Sequence, residues 1–127
     1  MIEFEQHMVH HGNKQVISKV SEIKFPLSTD HAAIVDSTGK RVKLAGTNWS
    51  GGHMARHCVD GLECRPLKDI VCDIRDKFKM NCIRLTYSLQ LFYEDNVIPE
   101  QFIKANPDLK GKTAMEIFDH TIKVLTD

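Results

Sequence analysis

No stretch of the sequence approaches the roughly 18–20 consecutive apolar residues that a membrane-spanning helix requires. Its opening, MIEFEQHMVHHGNKQVISKV, also lacks an apolar core of about 7–15 residues such as a secretory signal carries, so retention in the cytosol is the expectation. Charge of one sign is missing as well: Lys plus Arg and Asp plus Glu both number 17. A neutral chain has no long-range field to attract nucleic acid or an anionic membrane, and neither is expected as a partner. There is a single tryptophan. The four cysteines include no two pairs at zinc-finger spacing, which argues against a structural metal, although His53, His57 and Cys58 lie close together and His7, His10 and His11 cluster at the front. Cys58 and Cys64 share a probable loop, HCVDGLEC, where a local disulfide is geometrically possible if the protein is exported. Cys72 and Cys82 sit in regular elements, where a free thiol is expected to be a small buried hydrophobe.

The chain has 127 residues, 42% hydrophobic and 27% charged, enough for one globular domain with a core. Residues 1–25 fit neither the helical nor the strand period and are expected to form a weakly ordered tail. The body starts at residue 26. IVDSTGKRVKL then places Asp36, Ser37, Thr38 and Gly39 between two β-rich runs, the turn chemistry of a hairpin. Its second run continues through Leu44 to Trp49 as a strand, until Ser50, Gly51 and Gly52 break it.

PLKDIVCDIRDKFK spaces Leu67, Ile70, Val71, Ile74 and Phe78 along one helical stripe, with Pro66 at the first turn. Asp73 and Lys77 lie one turn apart, worth a few tenths of a kcal/mol. MNCIRLTYS follows as a strand, with Ile83, Leu85 and Tyr87 on one face and Cys82, Arg84 and Thr86 on the other. A central arginine in so apolar a strand calls for an acidic partner, because a guanidinium stays charged and is costly to bury alone. About twenty-five loop residues come next, then TAMEIFDHTIKVLTD. There Thr113 and Glu116 have capping-box spacing, and Met115, Phe118, Ile122 and Leu125 make the expected buried stripe, with His120 on the exposed side.

Strands alternating with helices point to an α/β fold with a parallel sheet. Two such units leave edges and apolar faces open, so the sequence reads as the start of a larger structure. A long loop after the C-terminal end of a strand is also characteristic of a binding site.

In LSTDHAAIVDSTGKRVKLAGTNWSG, FKMNCIRLTYS and NPDLKGKTAMEIFD, taken in this order and spacing, the sequence resembles the N-terminal portion of glycoside hydrolase family 5, the cellulase-like retaining enzymes. The resemblance runs from about Leu27 to Asp127; Thr86 stands where many members have proline. It implies a β-hairpin followed by the first two β/α units of a (β/α)8 TIM barrel, an incomplete barrel, since a whole one takes about 250 residues. It implies a β-linked glucan or related glycoside as substrate of the complete enzyme, no cofactor, and frequent export. Arg84 matches the arginine that points into the barrel mouth and supports the nucleophilic glutamate. Both catalytic glutamates of the family follow later strands and would lie beyond residue 127, so the chain alone is expected to be inactive.

Several residues carry two readings. Trp49 either stacks on a sugar ring at a strand end or packs beneath the hairpin. Asn48 either meets a sugar hydroxyl or satisfies backbone groups where the strand bends. His53 and His57 either line the mouth of the site or are solvated. Tyr87, on the Leu85 face, is expected to pack. Glu94, Asp95 and Glu100 read as a charged rim, not a catalytic pair. The rival to the glycosidase is a small non-enzymatic α/β binding module that self-associates through its open sheet edge.

Overall fold

The computed structural model describes residues 18–127. The N-terminal cluster His7, His10 and His11, and most of the expected tail, lie outside the described residues. Within that tail, Val20–Glu22 forms a 3-10 turn, and the Ser18 hydroxyl accepts a hydrogen bond from the Lys43 amide at 2.9 Å.

β1 (Ser28–Asp30) and β2 (Ala33–Val35) form an antiparallel hairpin around His31, whose φ is +50°. The turn expected at residues 36–39 follows directly, closed by the Val35–Arg41 bridge. Asp36 organises it: one carboxylate oxygen accepts from the Thr38 hydroxyl (2.6 Å) and from the Thr38 and Lys40 amides (2.9 and 3.0 Å). The Thr38 hydroxyl, with help from those amides, holds the Asp36 carboxyl below its usual pKa.

β3 (Gly46–Trp49) and β4 (Cys82–Leu85) lie side by side and parallel, in the register Gly46–Cys82, Thr47–Ile83, Asn48–Arg84 and Trp49–Leu85. The strand starts at Gly46, two residues later than expected, because Ala45 is held by Asn81: its amide donates to Asn81 Oδ1 at 2.7 Å and its carbonyl accepts from the Asn81 amide at 2.8 Å. Glycine is needed at position 46, since a Cβ there would stand 2.1 Å from the Cys82 carbonyl oxygen.

The crossover between these strands carries α1 (Leu67–Cys72), continued by one wider π-type turn at Asp73–Lys77. Leu67 and Val71 are buried and Ile70 and Ile74 half-buried, as the spacing predicts, but Phe78 is 58% exposed. The wider turn changes the angular step per residue and carries Phe78 off the stripe. Asp73 pairs with Arg65 at 2.7 Å, and that guanidinium holds its carboxyl below the ordinary range.

The long segment after β4 is more ordered than expected. It contains α2 (Leu89–Glu94), capped by the Ser88 hydroxyl accepting from the Leu91 amide, and 3-10 turns at Glu100–Phe102 and Pro107–Leu109. α3 (Ala114–Thr126) opens with the anticipated capping box: the Thr113 hydroxyl accepts from the Glu116 amide, and the Glu116 carboxylate from the Thr113 amide at 2.8 Å. Its buried face is Ala114, Ile117 and Thr121, so the expected stripe of Met115, Phe118, Ile122 and Leu125 is rotated by about one residue from the core. Those four are half-buried or, for Ile122, exposed. His120 is half-buried, 4.0 Å from Asp108.

The core gathers Trp49, Val59, Leu62, Leu67, Val71, Leu91, Ile98, Ile103, Leu109 and Ile117, with Ile83 and Leu85 packed against it. Asn106, 3% exposed, ties loop to helix inside it. Its Oδ1 accepts from the Leu67 amide at 2.7 Å, and its Nδ2 donates to the Leu62 and Arg65 carbonyls at 2.8 and 3.0 Å.

Candidate functional site

The candidate site lies on the face of β3 and β4 turned away from the helices. Strand alternation sends Ile83 and Leu85 into the core and leaves Arg84 exposed on the other face, directly across from Asn48 in the parallel register. Asn48 is exposed, and its side chain makes no hydrogen bond among the described residues. It therefore does not serve the backbone, which was one of its two readings. Its amide and the five N–H donors of the guanidinium stand open together.

The acidic partner anticipated for Arg84 is not found among the described residues. The three acids of the segment after β4 are committed elsewhere. Glu94 accepts from Gln90 at 2.7 Å and from Asn96 at 3.3 Å, Asp95 accepts from the Met115 amide at 2.8 Å, and Glu100 pairs with Lys110 at 2.9 Å. Because the guanidinium is exposed, water takes the place of a carboxylate and the cost of burying it does not arise.

Just beyond the strands, His53 Nδ1 lies 2.7 Å from the Thr86 hydroxyl, which in turn donates to the Trp49 carbonyl at 3.3 Å. This links the loop after β3 to the end of β4. Gly52 permits the approach, since a Cβ there would stand 2.5 Å from the Thr86 carbonyl oxygen. Thr86 thus joins the candidate site, a place the sequence pattern alone did not single out. Its signal was available: the same alternation that places Arg84 places Thr86 beside it.

Trp49 is only 7% exposed and belongs to the core, with its indole N–H donating to the Asp60 carbonyl at 2.9 Å. Little of the ring is open for a sugar to stack on, which favours packing of its two readings. The register explains why: Trp49 pairs with Leu85 and shares its inward face. His57 is also buried, at 8% exposure and with φ +50°. Tyr87, expected to pack, is 54% exposed and meets Phe92 and Phe118 edge to face at centroid distances of 5.0 and 5.9 Å.

Two of the four thiols, Cys72 and Cys82, differ from expectation. Cys58 and Cys64 are free; Cys58 is buried, and burial pushes its pKa up to about 11. Cys72 and Cys82 are exposed, because the former faces outward from α1 and the latter lies on the open Arg84 face.

No family model matches the chain. In sequence it is 31% identical over 113 residues to an endoglucanase of Paenibacillus polymyxa, covering 89% of this chain and 28% of that protein. It is 32% identical over 89 residues to the major extracellular endoglucanase of Xanthomonas campestris pv. campestris, covering 70% and 18%. A glycosyl hydrolase 5 family protein of Chamaecyparis obtusa is 36% identical over 87 residues, covering 65% and 15%. The chain thus spans less than a third of the length of these relatives. Among solved structures, it aligns with two cellotetraose complexes of variants of the endocellulase from Pyrococcus horikoshii. One gives a TM-score of 0.62 at 26% identity over 75% of this chain and 26% of that one. The other gives 0.69 at 23% identity over 84% and 29%, a likeness of fold.

Proposed function

The chain is a relative of glycoside hydrolase family 5 that spans a fraction of those proteins' length, and on that premise we propose that residues 26–127 form a β-hairpin and the first two β/α units of a (β/α)8 barrel acting on a β-linked glucan. The observation that carries this reading is the open pair Arg84 and Asn48, side by side on the helix-free face of two parallel strands. In a closed barrel that face points inward, and active sites sit at the C-terminal ends of its strands. Arg84 would there meet the nucleophilic carboxylate and hold it ionised. Asn48 and His53 would face sugar hydroxyls, the former through an amide that both donates and accepts.

Retaining hydrolysis requires two carboxyl groups about 5–5.5 Å apart. Within this chain the loop acids are bound to other partners, so the two glutamates would come from later strands and the chain alone would not turn over a glycoside. The test uses the 127-residue chain itself. Cellotetraose should produce saturable NMR shifts at the Arg84 guanidinium and Asn48 amide, without hydrolysis of an aryl β-cellobioside. Turnover lost in Arg84→Ala would overturn the missing-carboxyl reading; no saturable shift at Arg84 or Asn48 would overturn the sugar-facing assignment.

A second reading, a non-enzymatic module that self-associates, is favoured by one observation. An apolar groove of about 550 Å³ runs along β4 and α3, lined among others by Ile74, Met80, Ile83, Leu85, Ile122 and Leu125. A concentration-dependent dimer abolished by Ile122→Lys would support it.

A further inference from the structure

Where the loop after β3 meets the end of β4, the Trp49 carbonyl accepts twice from Thr86, from its amide and from its hydroxyl, each at 3.3 Å. His53 Nδ1 stands 2.7 Å from the same hydroxyl oxygen. A hydroxyl has one proton to give. Given to Nδ1, it leaves the Trp49 carbonyl and one of the two side-chain contacts is lost. Given to the carbonyl, it requires Nδ1 to carry a hydrogen and donate it to the Thr86 oxygen, and both contacts are made. Only the second arrangement keeps every contact at this junction. In a neutral imidazole one nitrogen donates and the other accepts, so an Nδ1–H leaves Nε2 as the acceptor. Nε2 has no hydrogen-bond partner among the described residues, and His53 is exposed.

We propose that Thr86 is a positioning residue that fixes neutral His53 as its Nδ1–H tautomer, so that Nε2 accepts a hydrogen bond from a glucan hydroxyl. This deepens the family 5 reading and rests on it. Through Thr86, two residues beyond Arg84, the ring is tied to the strand ends that carry Arg84 and Asn48. A guanidinium only donates, whereas a sugar hydroxyl both donates and accepts. An uncharged acceptor at this end supplies what Arg84 cannot. Proline, which many members of the family carry at the position of Thr86, has neither the amide hydrogen nor the hydroxyl, so the link is a feature of this chain.

The test reads the His53 ring nitrogens by NMR of the isotope-labelled chain at pH ~8.5, well above the ~6.5 of a model imidazole. A protonated Nδ1 and an unprotonated Nε2 are expected in the parent; a protonated Nε2 would overturn the proposal, whether or not any variant folds. Thr86→Val removes the hydroxyl and keeps the amide bond to Trp49, so the ring should pass to a mixture of tautomers, and Thr86→Ser should restore the Nδ1–H form. An Nδ1–H form that persists in Thr86→Val would overturn the role of Thr86. Cellotetraose should move the Nε2 signal saturably together with those of Arg84 and Asn48. Thr86→Val should weaken the Nε2 response by up to about fivefold, the worth of one hydrogen bond in the tautomer ratio. Shifts at Arg84 and Asn48 without one at Nε2 would overturn the proposal and leave the family reading intact; no saturable shift at any of the three would overturn both.

Discussion

Two isoleucines five residues apart on α3 have opposite surroundings: Ile117 is 1% exposed, and Ile122 is 41% exposed. Ile117 belongs to the core, on a helix that packs against α1 and α2, whereas Ile122 borders the groove beside β4. An ordinary surface helix carries one apolar stripe and a polar back. α3 carries two apolar faces, one packed and the other open among the described residues. The contrast extends across the molecule: Leu62, Leu91 and Leu109 are fully buried, while Met80, Leu85, Ile122 and Leu125 line an open groove. One side of the chain is a finished interior, and the other has the apolar character of a surface that normally receives a further layer.

Alanine substitution on the two faces should give the largest difference. Ile117→Ala is expected to cost roughly 2–5 kcal/mol in urea unfolding, because a buried side chain leaves a cavity, and Ile122→Ala under about 1 kcal/mol. Equal costs at both positions would mean that the groove is closed in solution, and the comparison would break.

Asn106→Ala tests the polar part of the finished side. It removes the partner of one buried amide and of two carbonyls, and each orphaned group costs about 1–3 kcal/mol, partly relieved by water, so ~2–4 kcal/mol of stability should be lost. Asn106→Asp should cost at least as much as Asn106→Ala, because it keeps an acceptor for the Leu67 amide but turns an oxygen against the Leu62 and Arg65 carbonyls at a buried position. If Asn106→Ala melts with the parent, the loop and α1 are not joined there.

The Cys58 thiol marks the same side by its chemistry. Its pKa rises from 9.0 to about 11 because burial disfavours the thiolate. The folded state therefore holds this proton more tightly than the unfolded chain does. Its contribution is fully present below pH 9 and is lost as pH rises toward about 11. Relative to Cys58→Ala, the parent should lose ~2 kcal/mol across that window. Cys64, Cys72 and Cys82 should react with maleimide at neutral pH well before Cys58. Simultaneous labelling of all four would place Cys58 in the open.

Legibility in the sequence followed the strength of the local code. The period-2 pattern around Arg84 set its face correctly, since one residue of slip would have inverted every side chain. The Thr113 and Glu116 cap was readable because both hydrogen bonds are local. The inward face of α3 was not, because Phe118, Ile122 and Leu125 make as good a stripe as Ala114, Ile117 and Thr121, and only tertiary packing chooses between them. α2 was hidden by its brevity within a segment rich in turn residues, although Ser88 was available as its cap. Trp49 could have been placed by pairing it with Leu85, but register between distant strands is not written in either strand alone. Asn106 gave no local signal, since its buried hydrogen bonds reach back about forty positions.

The smallest expected effect is also the most informative about the open side. A guanidinium buried against a carboxylate loses about 3–5 kcal/mol when one partner is removed. Arg84 is exposed and has no such partner among the described residues, so Arg84→Ala should change the stability of this chain by less than about 0.5 kcal/mol, the range of ordinary surface changes. On the proposed reading, the same substitution should nevertheless abolish the cellotetraose shift at Asn48, because the two residues stand directly opposite each other in the parallel register. Stability and binding would then separate at a single residue, as they do where a charge is kept for a ligand and not for the fold. A loss of several kcal/mol would instead reveal a carboxylate already seated on the guanidinium, and the open face would have to be redrawn as a closed one.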